Sequence, residues 1–210
     1  MPTDATLAGV LWDLTSNAAS VQGISLDMKS IGDDGVTALA GALERGSFPK
    51  LQTIYLDWNR IGDEGAAALA GALERGSFPK LECIELYENN VGDEGAKALA
   101  GALKRGSFPA LQVIGLSVNN VGNEGATAFA GALERGSFPK LHDIWLGGNN
   151  IEVEMKQQVF RAIADMHCRV RLVAFLGAEL DRSPVTPAKR LLWRDGDRAV
   201  MVRVRKFMKC

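Results

Sequence analysis

The sequence has 210 residues, of which 47% are hydrophobic and 23% are charged, and its formal net charge is −1. This balance is typical of a folded globular protein and excludes a disordered chain, a collagen-like chain or a membrane bundle. Glycine occurs 23 times, more often than the roughly 7% of an average protein, so its positions need an explanation.

The first residues, Met1–Asp4, lack the positive and apolar segments of a secretory signal. No apolar run approaches the roughly 18 to 20 residues that span a membrane. Three cysteines, Cys83, Cys168 and Cys210, form neither a disulfide framework nor a C-x-x-C motif. We therefore expect a cytoplasmic protein, with the nucleus as an alternative, and no membrane span.

An internal repeat organises most of the chain. Residues 21–150 repeat with a period of 30, and Gly-Ala-Leu-Glu-Arg-Gly-Ser-Phe-Pro recurs at residues 41, 71 and 131. A fourth copy at residue 101 has Lys104 in place of Glu. Residues 1–20 resemble half of a unit, since Leu7–Leu11 echoes the Leu-Ala-Gly-Ala-Leu of the repeats, and we predict an N-terminal capping helix there.

Each unit opens with the pattern Leu-x-x-Ile-x-Leu-x-x-Asn. In the second unit the alternation of Ile54 and Leu56 predicts a short strand with one buried face. Asp63 and Glu64 then predict the start of a helix, with Asp63 supplying the N-cap oxygen and both acids lying at the positive end of the helix dipole.

The second half of the unit predicts a helix and its end. The segment Ala66–Arg75 is rich in alanine and leucine, and Ala70 and Gly71 are small enough for neighbouring helices to approach closely. Gly76 is predicted to end the helix with a positive φ, and Pro79 prevents the helix from resuming. A unit of strand, turn, helix and turn buries its faces only by stacking against similar units.

These units resemble leucine-rich repeats of the ribonuclease-inhibitor-like subfamily. The subfamily pattern Leu-x-x-Leu-x-Leu-x-x-Asn-x-Ile-Gly-Asp-Glu-Gly-Ala-x-x-Leu-Ala is matched almost letter for letter at residues 51–70 and 81–100. The resemblance implies an α/β horseshoe solenoid, with parallel strands on the concave face and helices on the convex face. It also implies a buried asparagine ladder, formed by Asn59, Asn89, Asn119 and Asn149. Lys29 replaces asparagine in the first unit, where we expect a solvent-open turn.

The C-terminal part departs from the repeat. Residues 151–180 predict a capping helix followed by an edge strand at Arg169–Phe175, because polar side chains replace the repeated glycines and alanines. Residues 181–210 form a basic tail with nine Lys or Arg against three Asp, a net charge of +6. Three alternatives stay open for this tail: a solvated segment, weak binding to acidic lipid or RNA, or docking on an acidic face of this chain or of another copy.

The strand face varies from unit to unit, whereas the helices are largely constant. The third, fifth and eighth positions differ in all five units, whereas Arg45, Arg75, Arg105 and Arg135 on the helices are identical. Exposure alone therefore does not explain the variation, which leaves two hypotheses: a recognition surface on the concave face, or free drift of exposed positions.

The variable face collects aromatic and acidic side chains, including both tyrosines and two of the four tryptophans of the chain. Aromatic side chains anchor protein interfaces, and acidic ones complement Lys or Arg of a partner. We therefore predict a non-catalytic module that binds a protein or peptide with basic residues. The predicted partner-binding residues are Tyr55, Asp57, Trp58, Glu85, Tyr87, Glu88, Asp143 and Trp145.

No motif for catalysis, a cofactor or a metal stands out. His142 and His167 have no spaced acids or ligand partners that would form a triad or a metal site. The Gly-Asp-Glu-Gly turn lacks the Lys-Ser/Thr of a phosphate loop. We expect no cofactor and no small-molecule substrate, and the acidic face disfavours nucleic acid, except for weak binding through the tail.

Regulation of a small GTPase is an alternative function, because the repeats also resemble those of Ran GTPase-activating proteins. Arg60 is the only arginine at the tenth position of the five units, where the others have Ser30, Asn90, Asn120 and Asn150.

Overall fold

The structure is a computed structural model that describes residues 6–135, 138, 140–141, 143–155 and 157. In chain order its elements are α1 Leu7–Ser16, a 3-10 helix Ala18–Ser20, β1 Gly23–Ser25, α2 Gly32–Arg45, β2 Thr53–Tyr55, α3 Asp63–Arg75, β3 Cys83–Glu85, α4 Asp93–Arg105, β4 Val113–Gly115, α5 Asn123–Arg135 and β5 Asp143–Trp145. The predicted edge strand, the basic tail and most of the predicted C-terminal cap lie outside the described residues.

The five strands form one parallel sheet in the order β1-β2-β3-β4-β5. Neighbouring strands pair with an offset of 30 residues, as in Ile24 with Ile54 and Ile54 with Ile84. Each strand is three residues long, and its central isoleucine is buried while the flanking residues line the other face. The predicted α/β leucine-rich repeat solenoid is confirmed.

One continuous core runs through the repeats between strands and helices. It contains the strand isoleucines and leucines, the helix leucines, and one phenylalanine from the turn after each of the helices α2–α5. The rings of Phe48 and Phe78 stack across two units, with centroids 6.2 Å apart. Because this core is shared between units, each repeat depends on its neighbours for burial of its apolar surface.

The glycine that ends each helix has a different role from the predicted one. Gly76 has a φ of −84°, so the prediction of a positive φ is wrong, and Gly46 and Gly106 are similar at −101° and −78°. A Cβ on Gly76 would overlap the ring of Phe78, which is 1% exposed. Glycine is required there because the phenylalanine packs directly against the backbone.

The asparagine ladder is present as predicted. Asn89 is buried, and its Oδ1 accepts hydrogen bonds from the backbone N–H groups of Asn59 and Ile61 of the preceding unit at 3.0 and 2.9 Å. Its Nδ2 donates to the carbonyl of Leu56 at 3.0 Å. The ladder therefore satisfies turn backbone that would otherwise be buried without partners. Lys29, in place of asparagine in the first unit, is exposed.

A second ladder of side-chain acceptors lies at the helix starts, and it corrects the prediction for Asp63. The N-cap of α3 is Gly62 and makes no side-chain cap hydrogen bond. Instead, Asp63 Oδ1 accepts from the backbone N–H groups of Gly92 and Gly95 in the next unit, at 2.7 and 2.8 Å. The aspartate therefore caps the following helix rather than its own.

This second ladder explains part of the glycine excess. A Cβ on Gly95 would lie 2.8 Å from Asp63 Oδ1, closer than such atoms approach in proteins. Asp33 and Asp93 make the corresponding contacts with their following units. In the fourth unit Asn123 takes this place, and its Oδ1 accepts from the backbone N–H of Glu152 at 2.8 Å.

The constancy of arginine on the helices also has a structural cause. Arg105 donates two hydrogen bonds to Glu74 of the preceding unit, at 2.5 and 2.6 Å, and Arg75 pairs with Glu44 in the same way. These ion pairs are exposed and contribute little individually. They nevertheless give Arg75 and Arg105 a structural role on the convex side that needs no external partner.

The first helix lies where the capping helix was predicted. Helix α1 packs beside α2, and Leu14 is buried in the common core. The side chain of Thr6 accepts a hydrogen bond from the backbone N–H of Gly9 and caps the start of α1. Trp12 on the same helix is 69% exposed.

We expect Asp63→Ala to lower the free energy of unfolding by about 1–3 kcal/mol, because it leaves two backbone N–H groups without an acceptor. Asp63→Asn should cost less, since Asn123 already fills the same role with an amide oxygen. Glu64→Ala is the matched control, because Glu64 is the exposed neighbour on the same helix turn. Urea denaturation measures all three, and equal losses for Asp63→Ala and Glu64→Ala would contradict the prediction.

Candidate partner-binding face

The sheet register brings the variable positions together in rows on the concave face, which we define as the third, fifth, seventh and eighth positions of the five units. One row consists of Gly23, Thr53, Cys83, Val113 and Asp143, and the next consists of Ser25, Tyr55, Glu85, Gly115 and Trp145. Residues that are 30 apart in sequence thus become neighbours at about 4.8 Å.

The eight predicted partner-binding residues differ in their accessibility. Trp58 is 41% exposed, whereas Glu85 is only 9% exposed. The other six are half-buried: Tyr55, Asp57, Tyr87, Glu88, Asp143 and Trp145. The face therefore offers one exposed aromatic side chain and one buried carboxyl group, and its other aromatic and acidic side chains are equally half-buried.

Trp58 and Tyr87 form an aromatic pair across two units. Their ring centroids are 5.6 Å apart, and the rings are tilted by 59°. This geometry is a favourable one for aromatic side chains, and it limits the freedom of both rings before any partner binds. The seventh and eighth positions thus contribute a preformed aromatic surface at one edge of the concave face.

The turn that carries Trp58 has a left-handed backbone. The eighth-position residues Met28, Trp58, Glu88 and Val118 have φ values between 52° and 61°, and Gly148 has 69°. This conformation is unfavourable for residues other than glycine, most of all for β-branched Val118. The repeat geometry imposes the turn, and four of the five units retain a side chain there in spite of its cost.

Asp57 is held by the backbone rather than directed freely into solvent. Its Oδ1 accepts from the backbone N–H of Tyr87 at 2.8 Å, and Asp27 accepts from the N–H of Asp57 at 2.9 Å. Burial raises the pKa of Asp57 to about 6; the Tyr87 hydrogen bond opposes this rise, and the charge of Asp27 adds to it.

Glu85 lies at the centre of the face and extends over the next strand. A Cβ on Gly115 would overlap the Glu85 carboxyl group, so the absence of a side chain at position 115 makes room for this carboxyl. The Sγ of Cys83 lies 3.6 Å from Glu85 Oε1 and donates to it. Glu85 therefore occupies a cleft that β3 and β4 form together.

The carboxyl of Glu85 is strongly perturbed. Burial raises its pKa to about 8, and the charges of Asp57 and Asp27 raise it further, while the hydrogen bond from Cys83 opposes them. Burial and the charge of Glu85 also raise the pKa of the Cys83 thiol to about 12. The pKa of Tyr55 is raised mainly by burial, with contributions from Cys83 and Glu85. The centre of the face thus holds acidic groups whose ionisation is disfavoured mainly by burial and further by neighbouring negative charge.

Trp145 lies in the same row as Glu85, on the other side of Gly115. Its indole Nε1 is buried and has no hydrogen-bond partner among the described residues. Asp143, two residues earlier on β5, is half-buried beside Val113 of β4.

Sequence reasoning missed Cys83 and Gly115. Cys83 lies between Tyr55 and Glu85 and takes part in the acidic cluster, and Gly115 leaves the space that Glu85 fills. The sequence carries one signal for this arrangement, because Gly115 is the only glycine at the fifth position of the five units.

Arg60 is exposed at the turn after β2 and has a φ of 59°. Ser30 at the same position of the preceding unit has a φ of 53°. The left-handed conformation is therefore not particular to the arginine, although the tenth residues of the third and fourth units, Asn90 and Asn120, do not share it.

Comparisons with known proteins agree with this architecture. A family model described as a leucine-rich repeat matches residues 49–70 and 79–100. No curated protein sequence matches the chain. The solved structure of leiomodin-1 actin-binding site 2 superposes with a TM-score of 0.59 at 16% identity, over 78% of this chain and 91% of that one. The tropomodulin C-terminal domain from Caenorhabditis elegans superposes with a TM-score of 0.61 at 15% identity, over 77% of this chain and 93% of that one.

The matched repeats and the shared fold support a leucine-rich repeat protein. Domains of this class generally mediate protein–protein interaction. None of the described helices is long and apolar enough to cross a membrane.

We expect the free energy of unfolding of the protein to decrease as the pH rises from 5 to 9. Because folding raises the pKa of Glu85 from 4.5 to about 8, the folded state binds more protons than the unfolded state in this range. The stabilisation is complete below pH 4.5 and is lost as the pH rises through 8. Asp57, raised from 3.8 to about 6, acts in the same direction at lower pH.

Glu85→Gln should remove the larger part of this pH dependence. As the pH rises from 5 to 9, the free energy of unfolding of the variant should therefore increase by roughly 2–4 kcal/mol relative to that of the wild type. Glu64→Gln, on the exposed part of α3, is the control and should follow the wild type. Urea denaturation at several pH values measures the difference. Parallel curves for Glu85→Gln and the wild type would show that the buried carboxyl does not titrate in this range.

Proposed function

We propose that the protein is a non-catalytic binding module whose concave face holds an extended protein segment with Lys or Arg residues. The observation that supports this best is the pair of desolvated carboxyl groups of Asp57 and Glu85, with Asp27 beside them. Each raised pKa reflects an acid whose charge is poorly solvated and repelled by another acid. A cation from a partner would relieve both effects.

The aromatic residues of the face support the same partner chemistry. The preformed pair of Trp58 and Tyr87 lies next to Asp57 in the sequence and the fold, so apolar contact and negative charge occur together. A guanidinium or ammonium group over an aromatic ring gains a cation–π contribution of about 0.5–2 kcal/mol. A partner with basic side chains and an apolar stem fits this combination.

The repeated pattern at residues 51–70 and 81–100 supports assignment to the ribonuclease-inhibitor-like subfamily. We also propose a cytoplasmic location. The leiomodin-1 domain with the similar fold is an actin-binding site, so actin is a reasonable first protein to test. The fold likeness itself does not assign this partner.

Regulation of a small GTPase is the weaker proposal. It depends on Arg60, which is exposed but lies in a turn conformation shared with Ser30. Loss of stimulated GTP hydrolysis in Arg60→Ala, with partner binding retained, would favour this alternative.

Tyr55→Ala combined with Trp145→Ala should reduce retention of the bound partner at least about tenfold, because truncation of aromatic anchors removes the largest contacts of an interface. Affinity capture with the full chain, followed by quantification of what the wild type retains, measures the loss. Trp12→Ala is the matched control, since Trp12 is 69% exposed on α1 and lies outside the concave face. Undiminished retention by the double variant would eliminate the concave face as the binding site.

Binding of a basic segment should release protons, because a cation beside Glu85 favours its ionised form. Affinity should therefore increase as the pH rises from 6 to 8, the interval between the raised pKa values of Asp57 and Glu85. Calorimetry in buffers of different ionisation enthalpy counts the protons released. In Glu85→Gln most of the release should disappear, and proton uptake in the wild type would contradict a cationic partner.

A further inference from the structure

We propose that residues 198–209 of the basic tail bind across the concave face of the same chain and compete there with an external partner. This inference rests on the proposed function, since it assigns an internal occupant to the same face. The tail itself lies outside the described residues, so its chemistry is taken from the sequence.

Charge is divided unequally along the chain. Residues 181–210 hold nine of the 24 basic residues and three of the 25 acidic ones, so residues 1–180 have 15 basic and 22 acidic residues, a net charge of −7 against +6. On the concave face, the charged groups that perturb Glu85 and Asp57 are themselves acids. The tail and the face are therefore electrostatically complementary within one molecule.

The segment from 198 to 209 has the pattern of an extended ligand. It has five basic residues and no acidic one, and Val202 and Val204 alternate with Arg203 and Arg205. In an extended chain, alternate residues lie on one side at about 6.6–6.8 Å. Arg203 and Arg205 would then reach acids of neighbouring units, such as Asp57 and Glu85. Glu85 pairs in register with Tyr55 of β2, and Asp57 lies two residues beyond Tyr55, so the two acids are offset both across and along the strands.

The length of the chain permits this contact. If residues 158–180 belong to the predicted cap, the 17 residues from 181 to 197 still separate the cap from the segment, and in an extended conformation they would span up to about 56 Å. Five strands at about 4.8 Å make the face only about 20 Å across. An extended segment crosses that distance in about six residues, which residues 198–209 supply in full.

Attachment to the same chain favours the tail over a free ligand. A flexible tether commonly gives an effective concentration in the millimolar range. If the isolated segment binds with a dissociation constant of about 10–100 μM, the attached tail reduces the apparent affinity for a free competitor by a factor of about 10 to 100.

The test measures binding of a labelled synthetic peptide of residues 198–209 to the full chain at low salt, by fluorescence anisotropy. One variant neutralises the tail segment through Arg203→Gln, Arg205→Gln and Lys206→Gln. The matched control removes three basic residues upstream, through Lys189→Gln, Arg190→Gln and Arg194→Gln. We expect the first variant to bind the peptide at least tenfold more tightly than the wild type, and the control to bind like the wild type.

The binding site is tested in the tail-neutralised chain. Tyr55→Ala with Trp145→Ala should abolish peptide binding, and Trp58→Ala should weaken it. Because Trp58 is 41% exposed, its truncation leaves the core unchanged. The affinity of this variant for the peptide can therefore be measured even if the double variant is unstable. Peptide binding that is unaffected by Trp58→Ala and by the double variant would show that the tail binds elsewhere and would overturn the inference.

Other outcomes separate this inference from the proposed function. Equal peptide affinity in the wild type and the tail-neutralised chain, with binding lost in the face variants, overturns docking within the chain and leaves the concave site intact. No peptide binding to the tail-neutralised chain also overturns the inference, while the capture experiment still tests the concave site independently. A wild-type dimer that dissociates on tail neutralisation, seen by sedimentation, would assign the face to the tail of a second copy instead.

Discussion

The constraint on which the structure depends is that the buried backbone of each turn finds its hydrogen-bond acceptors in the neighbouring unit. Asn89 accepts from turn N–H groups of the unit before it, and Asp63 accepts from the helix start of the unit after it. A turn with two such side chains is satisfied only within a stack. The single sheet and the shared core both follow from this dependence.

The same constraint explains which residues repeat. The Asp63 carboxyl leaves no room for a side chain at Gly95, and the Phe78 ring leaves none at Gly76. Arg105 forms an ion pair with Glu74 of the preceding unit. Identity on the convex side therefore has local structural causes, so the variation of the concave face is not in itself evidence of recognition. The better evidence is energetic, because Glu85 retains a buried carboxyl beside other acids where a neutral side chain would be less costly.

The concave face has several energetically unfavourable features that the repeat fold does not require. The eighth positions place Trp58 and Val118 in a left-handed turn that glycine occupies without strain at Gly148. Besides burial, the charge of Asp27 helps to raise the pKa of Asp57, and the charges of Asp57 and Asp27 help to raise the pKa of Glu85. A ligand with basic side chains would reduce the repulsion between the acidic groups. Both the proposed external partner and the tail have basic side chains. On these proposals, binding of either one would be linked to proton release from the same carboxyl groups.

The sequence by itself determined the repeat, its period, and the strand and helix of each unit, because spacing and apolar alternation depend only on the order of residues. The asparagine ladder was predicted from the resemblance of the units to a known repeat family. The sequence also located the aromatic and acidic positions of the face. Only the tertiary structure decided that Asp63 caps the next helix, that Gly76 has an ordinary negative φ, and that Glu85 lies buried over Gly115. The contacts of Asp63 and Glu85 arise between residues about 30 positions apart, and their distances depend on how one unit stacks on the next, which no single unit specifies.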